Sequence, residues 1–250
     1  MKGICNLCLQ EKELIKKSHI IPEFIYRNSG VYDDKHRMYS FDKEDILQNR
    51  KIKKVQTGVY DSYILCSQCD NVLISSYEKY ASMAIYGEEI PVEYCPDCIT
   101  YGDTSPTLSI CSNVDYSKYK LFLLSILFRA SISKDDFFEE VKLSYENQET
   151  LRKMVYEGNP SNYNDFPVLI ATFADSKIPS DIFFNPIKSE NDNITTFTFV
   201  FAGWSYIFYE GKNINTESFN SLVMKPDNEL KIFHFDSEDG KKYFNQIIGM

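Results

Sequence analysis

Two short cysteine motifs, Cys5-Asn6-Leu7-Cys8 and Cys66-Ser67-Gln68-Cys69, decide how the N-terminal part of this chain folds. Each C-x-x-C unit is a knuckle that turns two thiolates toward one ion, and two knuckles complete a tetrahedral four-sulfur site. Thiolate sulfur suits Zn²⁺, which imposes no coordination geometry of its own. We therefore expect Cys5, Cys8, Cys66 and Cys69 to hold one structural zinc ion.

A third motif, Cys95-Pro96-Asp97-Cys98, leaves the grouping of the cysteines open. It could take the place of the first knuckle, or form a second metal site with Cys111 and a histidine. We favour pairing of the first two knuckles, because a helix after Cys69 fits a treble-clef layout of knuckle, hairpin, knuckle and helix. Cys95, Cys98 and Cys111 are then predicted to be inert surface thiols.

The composition predicts a folded protein of the cell interior. A hydrophobic content of 43% with 15% aromatic residues is enough for real cores. The first residues, Met1–Cys5, lack the apolar segment of a signal peptide. The longest apolar run, Leu121–Phe128, is far shorter than the roughly 20 residues that span a bilayer. We expect a cytoplasmic protein without a membrane partner, where paired cysteines bind metal rather than form disulfides.

Three regions differ in their residue pattern. Residues 1–90 form the zinc-knuckle module, with a helix predicted from about Val72 to Tyr86. Residues 91–160 begin with a turn-rich connection up to Asn113 and continue with helices, of which Tyr116–Ser131 is apolar nearly all round and therefore predicted to be buried. Residues 161–250 carry short runs of β-branched and aromatic residues, followed by a closing helix.

These regions predict an α+β fold with an N-terminal treble-clef or ββα-type zinc module, central buried helices and a C-terminal antiparallel β-rich region. Gly203-Trp204 is a predicted tight turn. The remaining predicted elements are helices at Asp135–Leu143, Gln148–Glu157 and Glu238–Ile248, and strands at Arg37–Phe41, Lys51–Leu65, Phe166–Phe173, Thr195–Ala202, Ser205–Tyr209 and Leu230–Phe235.

The net charge of −9 is unevenly distributed along the chain. Residues 1–60 hold 12 Lys and Arg against 8 Asp and Glu, which is +4, and the rest holds 15 against 28, which is −13. The stretch Arg50–Lys54 is the densest basic run. A basic module on an acidic body can steer a polyanion to one face. Nucleic acid is thus a candidate partner of the N-terminal module, and a protein is a candidate partner of the acidic C-terminal half.

Three segments around the knuckles carry a resemblance to a known family. Lys17-Ser18-His19-Ile20-Ile21-Pro22 follows the first knuckle, Tyr60–Ile64 leads into the second, and Asp70-Asn71 follows it. In these segments residues 4–80 resemble the zinc-stabilised form of the HNH (ββα-metal) nucleases. That family places Asp-His-x-x-Pro between two C-x-x-C knuckles, an Asn five residues before the second knuckle and a His directly after it.

The resemblance implies a metal-dependent endonuclease, a hydrolase that cleaves DNA or RNA phosphodiesters and is common in bacterial defence. His19 stands at the general base, and Mg²⁺ or Mn²⁺ would be the catalytic ion. Asp61 stands where the family has Asn, and Asp70 where it has a metal-binding His. Ser18 replaces the usual Asp. With three such departures, a non-catalytic zinc scaffold that binds a protein or nucleic acid is the alternative.

Several other residues have simpler predicted roles. Glu78 and Lys79 are predicted to be a surface pair, and Arg129 a solvated residue at a helix end, with a buried ion pair as the alternative. The stretch Ser125–Ser131 resembles an uncharacterised bacterial family of zinc-knuckle proteins without known chemistry. His36 and His234 have no partner motif.

Overall fold

The computed structural model of the chain describes residues 1–28, 37–41, 48, 53–55, 58–87, 91, 95–173 and 182–248. Its helices are α1 (Glu23–Asn28), α2 (Ser75–Tyr86), α3 (Tyr116–Ile132), α4 (Tyr145–Glu157) and α5 (Ser237–Ile248). A π-helical segment, Gln68–Ile74, runs straight into α2, and a 3₁₀ turn spans Asp136–Phe138. The strands are β1 (Lys2–Ile4), β2 (Glu11–Glu13), β3 (Ser18–His19), β4 (Met38–Phe41), β5 (Lys53–Val55), β6 (Tyr60–Asp61), β7 (Asp97–Tyr101), β8 (Thr107–Ser112), β9 (Val168–Thr172), β10 (Ile182–Phe184), β11 (Ile187–Asn191), β12 (Ile194–Phe201), β13 (Trp204–Tyr209) and β14 (Leu230–His234). The α+β prediction is confirmed.

The N-terminal module is built from two small antiparallel pairs and a helix. Strands β1 and β2 form a hairpin whose connection carries the first knuckle, and β3 pairs with β6. A single β-bridge joins Leu14 to Cys66, so the first hairpin lies directly beside the second knuckle. The second knuckle then opens the π-helical segment that continues as α2. The first knuckle thus lies within a hairpin, and a helix follows the second knuckle.

Most strands belong to one ten-stranded sheet with the order β5-β4-β10-β12-β13-β9-β14-β8-β7 and β11 paired to β12. Its neighbours are antiparallel except for the pairs β4–β10 and β9–β14. The β12–β13 hairpin turns at Ala202 and Gly203, which both have positive φ, as the tightest hairpin turns require. Strands from all three predicted regions take part in this sheet. The division into 1–90, 91–160 and 161–250 as domains stays a prediction.

Helix α3 lies in the middle of the core because its sequence offers no polar face. The carboxylate of Asp115 caps its N-terminus by accepting a hydrogen bond from the Lys118 N–H at 3.0 Å. Large side chains such as Phe122 and Phe128 are fully buried, and α3 packs against both α2 and α4. The predicted burial of this helix is confirmed. Among the described residues, no helix has the length and apolarity that crossing a bilayer demands.

Two charged side chains of α3, Lys120 and Arg129, are buried at 2% exposure each. Lys120 Nζ donates to the Asn162 carbonyl at 2.6 Å and to the Tyr116 hydroxyl at 3.2 Å. Burial lowers the pKa of Lys120 to about 7, against the attraction of Asp165. The prediction of a solvated Arg129 is wrong, because the guanidinium finds its acceptors inside the protein.

Two other sequence predictions are also wrong. The expected helix Asp135–Leu143 is only a 3₁₀ turn, which Asp135 caps and in which Phe137 and Phe138 are both buried. The connection up to Asn113, expected to be irregular, contains the β7–β8 hairpin. All five residues of β7 are exposed, so the alternating burial that marks a strand is missing there.

Replacing Lys120 with Met should weaken the pH dependence of stability between pH 7 and 10.5. In that window the unfolded wild-type chain holds a proton that the folded chain has released, so wild-type stability rises by up to about 1.4 kcal/mol per pH unit. Urea unfolding at both ends of the window measures this. The exposed Lys118→Met, on the same helix, is the control. A Lys120→Met variant with the wild-type pH dependence would show that Lys120 is not the source of this rise in stability.

Candidate functional site

The four cysteines of the two knuckles meet at one point, as predicted. The Sγ atoms of Cys5, Cys8, Cys66 and Cys69 all lie within 4.8 Å of one another. Sulfurs held at about 2.3 Å from a tetrahedral centre are about 3.8 Å apart, so the cluster has the size of a four-thiolate zinc site. Four protein ligands leave no open position for a substrate. The cluster therefore fits a structural metal such as zinc.

The local backbone and the thiol electrostatics agree with this assignment. The N–H of Cys66 donates to Cys5 Sγ at 3.3 Å. A hydrogen bond from the Cys69 thiol lowers the pKa of Cys5 to about 4, and the same contact raises the pKa of Cys69. Thiols this close cannot all ionise on their own, because like charges repel each other. A bound cation lets all four thiols lose their protons, because its positive charge offsets the repulsion between the thiolates.

Outside this cluster, Cys98 and Cys111 form a disulfide bond, whereas Cys95 is free and exposed. The prediction of three inert thiols is therefore wrong for two of them. Cys98 lies directly opposite Cys111 in the β7–β8 hairpin, a pairing that sequence reasoning missed together with the hairpin itself.

His19 ends strand β3 and lies against helix α1. Its Nε2 is 3.1 Å from Glu23 Oε2, and its ring meets the ring of Tyr60 edge-on. The side chain is 21% exposed, but Nε2 itself is buried and makes no hydrogen bond within the described ranges, because the contact with Glu23 lacks the required alignment. Burial lowers the pKa of His19, opposed by the charge of Glu23. The imidazole is thus biased toward its neutral form.

Arg129 connects His19 to helix α2. Its Nη1 donates to the His19 carbonyl at 2.6 Å, its Nε donates to the Ser125 carbonyl at 3.2 Å, and its Nη2 lies 2.7 Å from Glu78 Oε1. The prediction of a Glu78–Lys79 surface pair is wrong, because Glu78 Oε1 is buried. Burial raises the pKa of Glu78, and the positive charge of Arg129 opposes that shift.

An open groove of about 820 Å³ lies between α1 and α2. We call it the acidic groove; its lining residues are Glu23, Phe24, Ser75, Glu78, Lys79, Ser82 and Met83. Its two carboxylates are the ones that contact His19 and Arg129. Negative charge at this position repels a bare phosphate, whereas a cation bound there would reverse the local field.

Asp70 is held by the residue that precedes His19. The Ser18 hydroxyl donates to Asp70 Oδ1 at 2.5 Å. The negative charge of Asp70 acts on the pKa of both His19 and Glu78, raising each of them. Ser18 therefore positions the carboxylate of Asp70.

Asp61 is placed differently. Its Oδ2 accepts hydrogen bonds from the Lys134 N–H at 2.7 Å and the Ser133 hydroxyl at 3.2 Å, just beyond the end of α3. Its Oδ1 accepts from the Ser62 N–H at 2.7 Å. Asp61 is not among the described lining residues of the acidic groove. Its catalytic role stays a prediction.

Sequence reasoning missed Glu23, although a signal for it was present. Pro22 precedes the first residue of α1, and a proline commonly stands at a helix start. The helix therefore begins at Glu23, four residues after His19. Of the other histidines, His36 lies outside the described residues, and His234 Nε2 lies 2.7 Å from the Ser109 hydroxyl in the large sheet.

Purified wild type should contain one zinc ion per chain, and Cys66→Ser should lose it, because three thiolates leave the tetrahedral centre incomplete. Elemental analysis by mass spectrometry measures the content, and thermal unfolding should show a lower midpoint for the variant. The exposed Cys95→Ser is the matched control and should keep its zinc. Metal-free wild type, or a Cys66→Ser protein that retains zinc, would contradict the assignment.

Replacing Arg129 with Met should lower the free energy of unfolding by about 3–5 kcal/mol, because Glu78 is left buried without its counter-charge. The double variant Glu78→Gln/Arg129→Met should recover part of that loss. Urea unfolding of the single and double variants measures the coupling. Lys153→Met, which removes an exposed contact of 3.7 Å to Glu149, should cost less than about 1 kcal/mol. Equal losses in Arg129→Met and Lys153→Met would contradict the buried pair.

Comparison with known proteins adds no family assignment to this geometry. No family model, no curated protein and no solved structure matches the chain. The function of the site has to follow from its own residues.

Proposed function

We propose that this chain is a metal-dependent, HNH-like endonuclease that hydrolyses phosphodiester bonds of DNA or RNA. One observation carries the proposal. In the described part of the chain, two buried side-chain polar atoms lack a hydrogen-bond partner, and they are His19 Nε2 and Glu78 Oε1. Buried polar atoms without a hydrogen bond are rare. Each of the two has only an ion-pair contact, His19 with Glu23 at 3.1 Å and Glu78 with Arg129 at 2.7 Å. Glu78 lines the acidic groove, so a ligand bound there would supply Glu78 with a further partner.

The donor set around the groove fits a divalent cation. Glu23 and Glu78 line the groove with carboxylates, and Asp70 adds negative charge close by. Carboxylate oxygen suits Mg²⁺ and Mn²⁺. Such an ion would supply the positive charge that a scissile phosphate and its leaving oxygen need. The acidic character of the groove therefore supports cleavage that depends on an added metal ion.

His19 is the group best placed to take a proton from an attacking water. Its backbone carbonyl is held by Arg129 at 2.6 Å, and its ring is confined between Glu23 and Tyr60. A neutral imidazole fixed in this way has the protonation state and the limited mobility that a general base requires. The same histidine opens the His19–Pro22 segment that carries the HNH resemblance.

Nearby cations support a polyanionic substrate. Lys17 directly precedes strand β3, and its Nζ lies 4.7 Å from the centre of the Tyr60 ring. Lys79 lines the acidic groove. Lysines at these positions would contact backbone phosphates on either side of the scissile one. The basic stretch Arg50–Lys54 lies mainly outside the described residues, so its contribution to nucleic-acid binding stays a prediction.

His19→Ala should reduce cleavage of plasmid DNA or of structured RNA by about 10²–10⁴-fold in the presence of Mg²⁺ or Mn²⁺, which is the usual contribution of a general base. Gel assays at equal protein concentration measure the loss. His234→Ala replaces a histidine of the large sheet and should cleave at the wild-type rate. Equal cleavage by wild type and His19→Ala would exclude the proposed role.

The alternative function is a non-catalytic zinc scaffold. It is favoured by the fact that the candidate carboxylates already have protein partners: Asp61 accepts from Lys134, Asp70 accepts from Ser18, and Glu78 pairs with Arg129. In that case the acidic C-terminal half would bind a protein partner. Zinc-loaded, folded wild type that cleaves neither DNA nor RNA with either ion would favour the scaffold.

A further inference from the structure

The outermost hairpin of the large sheet carries a disulfide that has no part in the acidic groove. Strand β7 is the last strand of the sheet, and all five of its residues are exposed. Cys98 on β7 lies directly opposite Cys111 on β8, and their sulfurs are bonded. Cys111 is only 2% exposed. The bond thus joins a surface residue to a buried one.

A third cysteine stands three residues before Cys98. Cys95 is a free and exposed thiol, and it forms the C-x-x-C unit Cys95-Pro96-Asp97-Cys98. It is separate from the zinc cluster, whose four sulfurs belong to other residues. Two sulfurs at C-x-x-C spacing can bond to each other, and this spacing is typical of cysteines that undergo exchange. A free, exposed thiol therefore stands three residues along the chain from the exposed cysteine of an existing disulfide.

We propose that Cys95, Cys98 and Cys111 form a thiol–disulfide exchange site. The Cys95 thiolate attacks Cys98 Sγ, so that a Cys95–Cys98 bond forms while the Cys98–Cys111 bond breaks. The electron pair of the broken bond stays on Cys111 Sγ, which takes up one proton in place of the one that Cys95 released. The step needs no oxidant or reductant, because the chain holds one disulfide and one thiol before and after it.

The external partner of this site is a low-molecular-weight thiol. Its thiolate attacks the exposed Cys95–Cys98 bond and forms a mixed disulfide with one cysteine, while the other leaves as a thiol. A second molecule of the same thiol releases the remaining cysteine and departs as the oxidised dimer. Two external thiols are thereby oxidised and one disulfide of the chain is reduced. The corresponding small disulfide drives the reverse reaction.

This site does not depend on the proposed nuclease. None of its three cysteines lines the acidic groove or belongs to the zinc cluster. Breaking the Cys98–Cys111 bond removes the disulfide across the β7–β8 hairpin and leaves the strands joined by their turn and by backbone pairing. The outer edge of the sheet is the part of the molecule that the exchange would affect.

The test follows the three cysteines in zinc-loaded, full-length protein treated with reduced glutathione. Samples are quenched over time with acid, alkylated and digested on the N-terminal side of aspartate. Cleavage before Asp97 and Asp103 places the three cysteines in three different peptides, so each disulfide is identified by mass. Wild type is compared with Cys95→Ser, and His19→Ala serves as a control for the groove. Zinc release is followed in parallel, so that reaction of the knuckle cysteines is recognised.

Wild type should accumulate a Cys95–Cys98 disulfide with alkylated Cys111 before full reduction. Cys95→Ser should lose its Cys98–Cys111 bond about tenfold more slowly, because the neighbouring thiol acts at a high effective concentration. His19→Ala should react at the wild-type rate. Equal reduction of wild type and Cys95→Ser would overturn the proposal. So would the absence of any Cys98–Cys111 bond after equilibration of wild type with oxidised glutathione.

Discussion

The meeting of four cysteine sulfurs is the constraint on which the rest of the N-terminal module depends. It fastens the β1–β2 hairpin to the start of the helical segment that continues as α2, although Cys5 and Cys66 stand 61 positions apart. Few backbone pairs hold β3 to β6, so those short strands have little stability of their own. A metal bound by all four thiolates contributes its binding free energy to folding. His19 ends strand β3 of this module, so the metal cluster contributes to holding it in place.

The second constraint on the site is a buried arginine of helix α3. Arg129 extends from the buried helix α3 to the backbone of His19 and to the carboxylate of Glu78. One guanidinium thus fixes a strand of the zinc module relative to α2, and it does so through charge-assisted contacts shielded from water. Its burial carries a desolvation cost that only complete pairing offsets. Glu78 provides the counter-charge, at 2.7 Å from the guanidinium.

The sequence predicted those parts of the structure that local pattern determines. The cysteine spacing indicated the metal cluster, the unbroken apolar run indicated the burial of α3, and a run of β-branched and aromatic residues indicated β12. The exposed strand β7 and the turn at Asp136–Phe138 escaped prediction, because neither follows the period of its class. In both segments, tertiary pairing and packing determine the local structure, and residue propensity does not.

The contacts within the candidate site could be predicted from the sequence even less completely than the fold. Glu78 and Arg129 lie far apart in sequence, and each alone has the pattern of an ordinary surface charge. Only the packing of α3 against α2 makes them a buried pair. Glu23 was closer to prediction, since it stands only four residues after His19. Ser18 and Asp70 were matched through the resemblance, but their hydrogen bond required the fold.

X-ray absorption at the zinc edge reports which atoms are bound to the ion and not merely its presence. Purified wild type should show a single shell of four sulfur neighbours at about 2.3 Å. A shell that contains nitrogen or oxygen neighbours, or a sample without zinc, would contradict it.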